Sequence, residues 1–273
     1  MTPLDYEFLR KLLKERSGLD LSPDKRYLVE SRLVPLARKA GLAGITELVQ
    51  KMKAGSAETL TAEVVEAMTT NETFFFRDKT PFDHLKDTML PALLQARSAR
   101  RSLRIWCAAS STGQEPYSIA MCLKAMGAAI SGWKIDILAT DLSQGVLEKS
   151  KAGIFSQFEV QRGLPIQMLV KHFVQVGDMW QLNADIRSMV QHRQFNLLPD
   201  FAHLGTFDVI FCRNVLIYFD RTLQDKTLKL FGDSLVRRGF LGLGAKESLR
   251  FSNQVGSFLD FDNEERIYQR RET

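Results

Sequence analysis

The sequence predicts an α/β fold in which a parallel sheet is covered by helices on both faces, preceded by a small all-helical unit. Three observations predict it. From residue 103 onward, short apolar runs alternate with helical stretches, which is the pattern of successive strand–helix units in a parallel sheet. Residues 4 to about 68 read as helices alone, too thin a unit to be the whole protein. The stretch 158–195 then interrupts the alternation with two short strands, HFVQVG and WQLNADI, joined by a tight turn at Gly177-Asp178. It reads as a small β-subdomain inserted into the main sheet.

The elements follow in order. Phe8, Leu9, Leu12 and Leu13 recur at helical spacing. Ser22-Pro23 looks like a cap with proline in the first turn, opening a helix from Asp24 to Lys39 that Gly41 stops. Shorter helices around 45–54 and 57–68 complete the helical unit. The main strands are LRIWCA, KIDILAT, FDVIFC and GFLGLG, with helices starting at Glu115, Ser143 and Thr222, and the last strand falls at Glu265–Arg271.

Composition narrows the class. The mix of 45% hydrophobic and 25% charged residues is that of a globular protein, which argues against disorder. The first residues are charged from position 5 and lack an apolar signal core, and no uncharged apolar run approaches the roughly 20 residues a bilayer needs. The chain therefore reads as cytoplasmic. Cys107, Cys122 and Cys212 form no C-x-x-C pair and sit among apolar neighbours, as buried thiols do. The four histidines show no metal-ligand spacing, so no catalytic metal is expected. A net charge of +5 points to an acidic partner without choosing among nucleic acid, anionic lipid and protein.

In a sheet of this kind ligands bind beyond the carboxyl ends of the strands. ASSTGQEPYS follows the first strand: a small-residue loop feeding a helix, with Gly113 where the backbone passes close to something. It is neither G-x-G-x-x-G nor a P-loop, which disfavours a dinucleotide pyrophosphate. Glu115 at the helix start repels phosphate and accepts a cation such as the amino group of a zwitterionic cofactor, or it merely complements the helix dipole. Asp141, closing the second strand, can accept two hydrogen bonds from a ribose diol or cap the next helix. Asn196 and Asn214 lie at the next two strand mouths, either lining an adenine and an aminoacyl tail or serving as turn residues. NETFFFR (71–77) and FCRNVLIYFD (211–220) also stand out, with three phenylalanines before Arg77 and with Tyr218 and Asp220 shortly after a strand.

Taken together, NETFFFR, ASSTGQEPYS, ATDLS and FCRNVLIYFD, in this order and spacing, resemble the signature of the CheR family of chemotaxis receptor methyltransferases. The likeness runs from DKRYLVESRL to the last strand. It implies a Rossmann-like class I S-adenosylmethionine methyltransferase domain at 85–273 with an inserted β-subdomain at 158–195. It also implies an N-terminal helical domain at 1–70 and a linker at 71–84 that contributes to the active site. By resemblance, Asn71, Thr73 and Arg77 contact the cofactor or frame the site from the linker. Glu115 takes the methionine amino end, Asp141 holds the ribose, Asn196 and Leu197 flank the adenine, and Arg213 and Asn214 line the methionyl side. Arg77 and Tyr218 place the acceptor, a glutamate γ-carboxylate, with no metal. Gln114 stands where many relatives have glutamate.

The family likeness also assigns the helix Asp24–Lys39 to docking on the acidic cytoplasmic helices of methyl-accepting chemoreceptors, through Lys25, Arg26, Arg32, Arg38 and Lys39. Pro35 departs from the basic residue some relatives have. The short turn between the two subdomain strands lacks the glycine-bearing extension of the branch that grips a receptor C-terminal pentapeptide, so pentapeptide independence is expected. Neither nucleic acid nor membrane insertion is expected, and the enzyme is expected to be a monomer. Two competing readings are weaker. Amino-group base methylases commonly carry Asn/Asp-Pro-Pro-aromatic after the fourth strand, where this chain has RNVLIYFD, and a module without turnover would have had reason to lose Arg77 or Tyr218.

Overall fold

The computed structural model describes residues 1–55, 57–250, 252–262 and 266–272. The chain divides into two compact units, one of Met1–Thr70 with Ile217–Gln224, the other of Asn71–Leu216 with Asp225–Thr273.

The first unit is helical. Its helices are Pro3–Ser17, Arg26–Lys39, Ile45–Lys53 and Glu58–Met68, with a single 3-10 turn at Pro23–Lys25 before the second. Thr2 and Asp5 form a reciprocal capping box at the start of the first. Leu9, Leu13, Val29, Leu33, Ala37, Leu48 and Val64 are fully enclosed and make its core. Helix Arg26–Lys39 buries Val29, Leu33 and Ala37, four residues apart on one face, and runs on through Pro35. Residues Ile217–Gln224 join this unit, whereas the sequence placed them with the sheet domain. The reasons are local: Asp20 N–H donates to the Tyr218 carbonyl at 2.8 Å, and Lys14 pairs with Asp220 at 2.8 Å. A Cβ on Gly18 would also stand only 2.7 Å from Leu223 and 2.8 Å from Phe219, so the missing side chain leaves room for them.

Among its described residues the second unit carries ten strands: β1 (Ser102–Ala108), β2 (Lys134–Asp141), β3 (Ile154–Ser156), β4 (Phe173–Val176), β5 (Met179–Leu182), β6 (Val190–Gln194), β7 (Phe207–Cys212), β8 (Leu235–Leu243), β9 (Phe258–Asp262) and β10 (Ile267–Arg270). Seven form one sheet in the order β6-β2-β1-β7-β8-β10-β9, and three form a separate sheet in the order β3-β5-β4. The first five strands of the large sheet are parallel, and β10 and β9 add antiparallel pairs at one edge. Strand β7 is buried along its whole length, as expected where helices cover both faces. On one face Trp106 meets Phe201, Phe207 and Phe231 at centroid distances of 5.2–5.4 Å. Ile105 and Cys107, its neighbours in sequence, point into a second cluster with Tyr117, Phe82 and Phe211 on the other face.

Three expected boundaries move. Val190–Gln194, read as part of the insertion, is an edge strand of the main sheet and pairs in parallel with β2. The insertion instead recruits β3 from before residue 158. Ala184–Arg187 is a helical turn rather than the end of the strand WQLNADI. Of the expected last strand, Ile267–Arg270 is observed, and Glu265 lies outside the described residues. No helix among the described residues is long and apolar enough to cross a membrane.

Candidate active site

Strand order reverses about β1: the chain passes from β1 to β2 and β6 on one side, and returns through β7 and β8 on the other. That reversal opens a crevice beyond the carboxyl ends of β1 and its neighbours, the place where open α/β sheets bind ligands. Three of the left-handed non-glycine residues lie there. Ala109 and Ser111 follow β1 at φ 60° and 51°, and Asn214 follows β7 at φ 62°. Such conformations cost about 1–3 kcal/mol each and persist where the surroundings over-determine them.

The loop after β1 is held from several sides. Ser110 N–H donates to the Thr140 carbonyl at 2.8 Å, and Gly113 N–H donates to the Ser110 carbonyl at 3.1 Å. Gly113 has φ 94°, and a Cβ there would lie 2.1 Å from the Ser150 hydroxyl. Glycine is thus required by both conformation and space. Ser150 Oγ is in turn 2.7 Å from His192 Nε2, and its carbonyl accepts from the Tyr117 hydroxyl at 2.6 Å. Burial pushes His192 down to about 4 and Tyr117 up to about 12, so both are neutral supports behind the loop at pH 7. Sequence reading gave Ser150 no role and took His192 for a scattered surface or packing histidine, since only the fold brings them to Gly113.

Asp141, at the end of β2, is 6% exposed. Its Oδ2 accepts from Ser111 N–H at 2.8 Å and its Oδ1 from Ser143 N–H at 3.0 Å. The helix cap itself falls to Ser143, whose hydroxyl accepts from Val146 N–H. These two backbone bonds orient the Asp141 carboxylate. Phe195 N–H donates to the Asp141 carbonyl at 2.9 Å, which brings the end of β6, with Asn196 and Leu197, alongside. Asn196 Oδ1 accepts from Leu198 N–H at 3.0 Å, and Leu197 is buried.

Glu115 and Arg213 form the charged centre. Arg213, with its side chain 2% exposed, sends Nη1 to Glu115 at 3.1 Å and Nη2 to Asp78 at 2.7 Å and the Arg77 carbonyl at 2.8 Å. Burial pushes the Glu115 carboxyl above its ordinary value, and the Arg213 guanidinium pulls it back. A ligand ammonium beside Glu115 would add to that pull. Gln114, beside it, accepts from Thr112 at 2.7 Å. The Arg213 Nε and Asn214 Oδ1 atoms, and the Ser110 hydroxyl, are buried without a hydrogen-bond partner among the described residues. Buried polar atoms of this kind call for a partner, and a polar ligand at these strand ends would provide one.

The segment 71–77 belongs to this unit and is tightly tied to it. Ser111 Oγ donates to the Asn71 carbonyl at 2.8 Å, and Phe76 N–H to Ser118 Oγ at 3.0 Å. Phe75 is fully enclosed, edge-on to Phe155 and Phe173 of the subdomain at 5.0 and 5.7 Å. Phe74 is flanked by Arg77 and Arg162, whose guanidiniums lie 5.5 and 4.3 Å from its ring centre. Arg77 Nη1 donates to the Glu72 carbonyl at 2.8 Å, and Thr73 is half-buried in the same stretch. The structure thus brings Asn71, Glu115, Asp141, Arg213 and Asn214 to one side of the sheet domain, whereas Tyr218 sits in the segment that belongs to the helical unit.

The residues expected to dock a receptor divide. Arg32 does not point freely to solvent: its Nη1 donates to the Met68 and Thr69 carbonyls at 2.6 and 3.0 Å, and its Nη2 to Thr70 Oγ1 at 3.0 Å, closing the end of helix Glu58–Met68. Arg26 donates to the Met1 carbonyl at 2.7 Å. Lys25 lies 3.7 Å from Asp24, and Arg38 and Lys39 are exposed. Lys25, Arg32 and Lys39, which recur every seven residues in the sequence, therefore do not make a uniform basic stripe.

Comparison with known proteins agrees with this layout. Residues 4–69 match the family model of the CheR methyltransferase all-alpha domain, and residues 71–264 match that of the CheR methyltransferase SAM binding domain. The chain is 42% identical over 251 residues to chemotaxis protein methyltransferase 1 of Pseudomonas aeruginosa, covering 90% of each chain. It is 41% identical over 250 residues to chemotaxis protein methyltransferase Cher2 of Pseudomonas putida, again covering 90% of each. With the chemotaxis protein methyltransferase of Vibrio parahaemolyticus the identity is 40% over 248 residues, covering 90% of this chain and 89% of that one. A helical unit, a sheet with its acidic residues at the strand ends and a family match across both establish the chain as a member of the CheR family of S-adenosylmethionine-dependent methyltransferases.

Proposed function

We propose that this enzyme methylates glutamate γ-carboxylates on the cytoplasmic helices of chemoreceptors, giving methyl esters and S-adenosylhomocysteine. The observation that carries the reading is the pair of largely enclosed carboxylates, Glu115 in the first turn of the helix after β1 and Asp141 at the end of β2, in a chain whose relatives are chemotaxis methyltransferases. S-adenosylmethionine supplies an electrophilic methyl group on a sulfonium. Glu115 receives the amino end of its methionine part, Asp141 its ribose hydroxyls, Asn196 and Leu197 its adenine, and Asn71, Thr73, Arg213 and Asn214 complete the contact.

The acceptor needs no general base, because a carboxylate with pKa near 4.3 is already ionised at pH 7. It is a poor nucleophile in water because it is solvated. The task of the protein is to remove that water and align one carboxylate oxygen for in-line attack. Arg77 holds the other oxygen by a charge-assisted bond, and Tyr218 positions the acceptor through its hydroxyl. Attack neutralises both charges, so a site of low polarity favours the transition state.

Two results test the assignments. Asp141→Ala removes charge-assisted bonds worth about 1.5–3 kcal/mol each, so calorimetry should show S-adenosylmethionine and S-adenosylhomocysteine weakened by roughly tenfold or more; unchanged affinity in a folded variant contradicts the ribose role. Tyr218→Phe should slow turnover far more than it weakens either ligand, and Arg77→Ala should slow turnover with some loss of binding. Normal turnover in both variants would refute the acceptor site.

Recognition of the receptor is proposed not to depend on a C-terminal pentapeptide. A peptide that adds a strand needs an open edge and room for its side chains, and the β4–β5 turn is only two residues, between the paired Val176 and Met179. Arg38 and Lys39, exposed at the end of the second helix, with half-buried Lys25 in the turn before it, then supply the charge that meets an acidic receptor. Methylation should survive deletion of the receptor tail and weaken as salt rises, since exposed charges are screened within about 8–10 Å. Micromolar binding of a free tail pentapeptide, lost on mutation within residues 174–183, would overturn this.

A further inference from the structure

Glu247 lies beyond β8, in a stretch to which neither motif nor resemblance gave a role. It is 4% exposed. Its Oε2 accepts from Asn214 N–H at 2.9 Å and Gly244 N–H at 2.6 Å, and its Oε1 accepts from Val215 N–H at 2.7 Å. Strands β7 and β8 are neighbours, with Cys212 opposite Leu243. One carboxylate therefore ties together the loops that leave both strands at the side of the sheet where Glu115 and Asp141 lie.

The tie acts on a residue that needs one. Asn214 is left-handed at φ 62°, a conformation that side chains other than glycine adopt at a cost. Successive backbone N–H groups around such a residue converge into a concavity that takes an anion. Here the Asn214 and Val215 N–H groups converge on the Glu247 carboxylate, so the protein supplies its own anion. The arrangement is closely packed: a Cβ on Gly244 would stand 2.7 Å from Asn214 N and 2.8 Å from Glu247 Oε2. Immediately before this turn is Arg213, whose enclosed guanidinium bonds Glu115 and Asp78, and within it is Asn214, whose buried Oδ1 has no partner among the described residues. A shift of the turn would move both side chains.

We propose that Glu247 is a positioning residue of the cofactor site, holding the Asn214 turn in its left-handed form and thereby setting where the Arg213 and Asn214 side chains stand. The inference rests on reading these strand ends as the cofactor site. Glu247→Gln keeps the shape but turns one acceptor into a donor facing backbone N–H groups, so the three bonds cannot all survive. Asn214→Gly keeps the left-handed backbone and deletes the side chain.

The test is S-adenosylhomocysteine affinity by calorimetry in the full chain, in Glu247→Gln, in Asn214→Gly and in the double variant, with folding checked by thermal melting and circular dichroism. Glu247→Gln is expected to bind at least tenfold more weakly, and the double variant to lose clearly less than the product of the two single losses, because both changes act on one turn. A purely structural role would lower the melting temperature without this non-additivity. Wild-type affinity in folded Glu247→Gln, or a double variant that loses the full product, overturns the proposal. If Glu247→Gln does not fold, Gly244→Ala disturbs the same contact from the other side and should also weaken binding at least tenfold; wild-type affinity there, or failure of both variants to fold, overturns it equally. Absence of binding by the wild-type chain would instead sink the cofactor reading itself.

Discussion

Arg213→Ala is expected to destabilise the sheet domain by about 3 kcal/mol, the lower end of the cost of removing one partner from a buried ion pair. Glu115 would then be an uncompensated carboxylate with its side chain only 12% exposed, while Asp78, at 40%, can turn to water. The pH dependence follows from the sign of the shift. Burial already raises Glu115 above its ordinary 4.5, and loss of Arg213 raises it further. A carboxyl with a raised folded pKa costs no stability below its unfolded value, and the cost appears as pH rises through the folded value. The variant should therefore lie nearest the wild type in acid, below about pH 4.5, and farthest from it at neutral pH. Glu115→Gln added to Arg213→Ala should restore part of the loss. Urea unfolding at several pH values measures all three effects, and a loss under about 1 kcal/mol at pH 7 would show that the pair is not buried as described.

Phe75→Ala should cost about 3–5 kcal/mol, the range for removing a fully enclosed aromatic side chain. The ring is 0% exposed and meets Phe155 and Phe173 edge-on. The backbone around it is packed as closely, since a Cβ on Gly163 would lie 2.0 Å from the Phe75 carbonyl. Because Phe75 anchors the segment that carries Asn71 and Arg77, S-adenosylhomocysteine affinity should fall as well. Phe74→Ala is the control. That ring is half-buried between two guanidiniums, and its loss should cost about 1 kcal/mol or less, the scale of exposed cation–π contacts. Equal costs for the two would contradict the anchoring role.

These contrasts mark what could be read in the sequence. The apolar runs of β1, β2, β7 and β8 were legible because strands buried on both faces are continuously hydrophobic. Gly113 was legible as a point of close approach, and the structure supplies the neighbour, Ser150. The tight turn at Gly177-Asp178 was legible from its residue types. Val190–Gln194 was legible only in part: a strand mouth was expected at Asn196, but VQHRQ, an edge strand with a single buried residue, lacks the apolar signature and was counted within the insertion. The affiliation of Ile217–Gln224 was hidden for another reason: it depends on the absent Cβ of Gly18 and on Lys14, some two hundred positions earlier in the chain. Arg32 looked like a surface charge because spacing alone does not reveal the carbonyls at Met68 and Thr69 that claim it. Of the residues proposed to hold the cofactor, Glu115 and Asp141 announced themselves by position after apolar runs. Ser150, His192 and Glu247 act through bonds that only the folded sheet brings into register.

The central claim is transfer of methyl to receptor glutamates. Its most direct test is incubation of the purified chain with S-adenosylmethionine labelled in the methyl group and a panel of chemoreceptor cytoplasmic fragments. The expected result is label on glutamate residues of at least one fragment, released as methanol by mild base, as a methyl ester requires. Label that resists base, or no label on any fragment from a folded enzyme that binds S-adenosylhomocysteine, would contradict it.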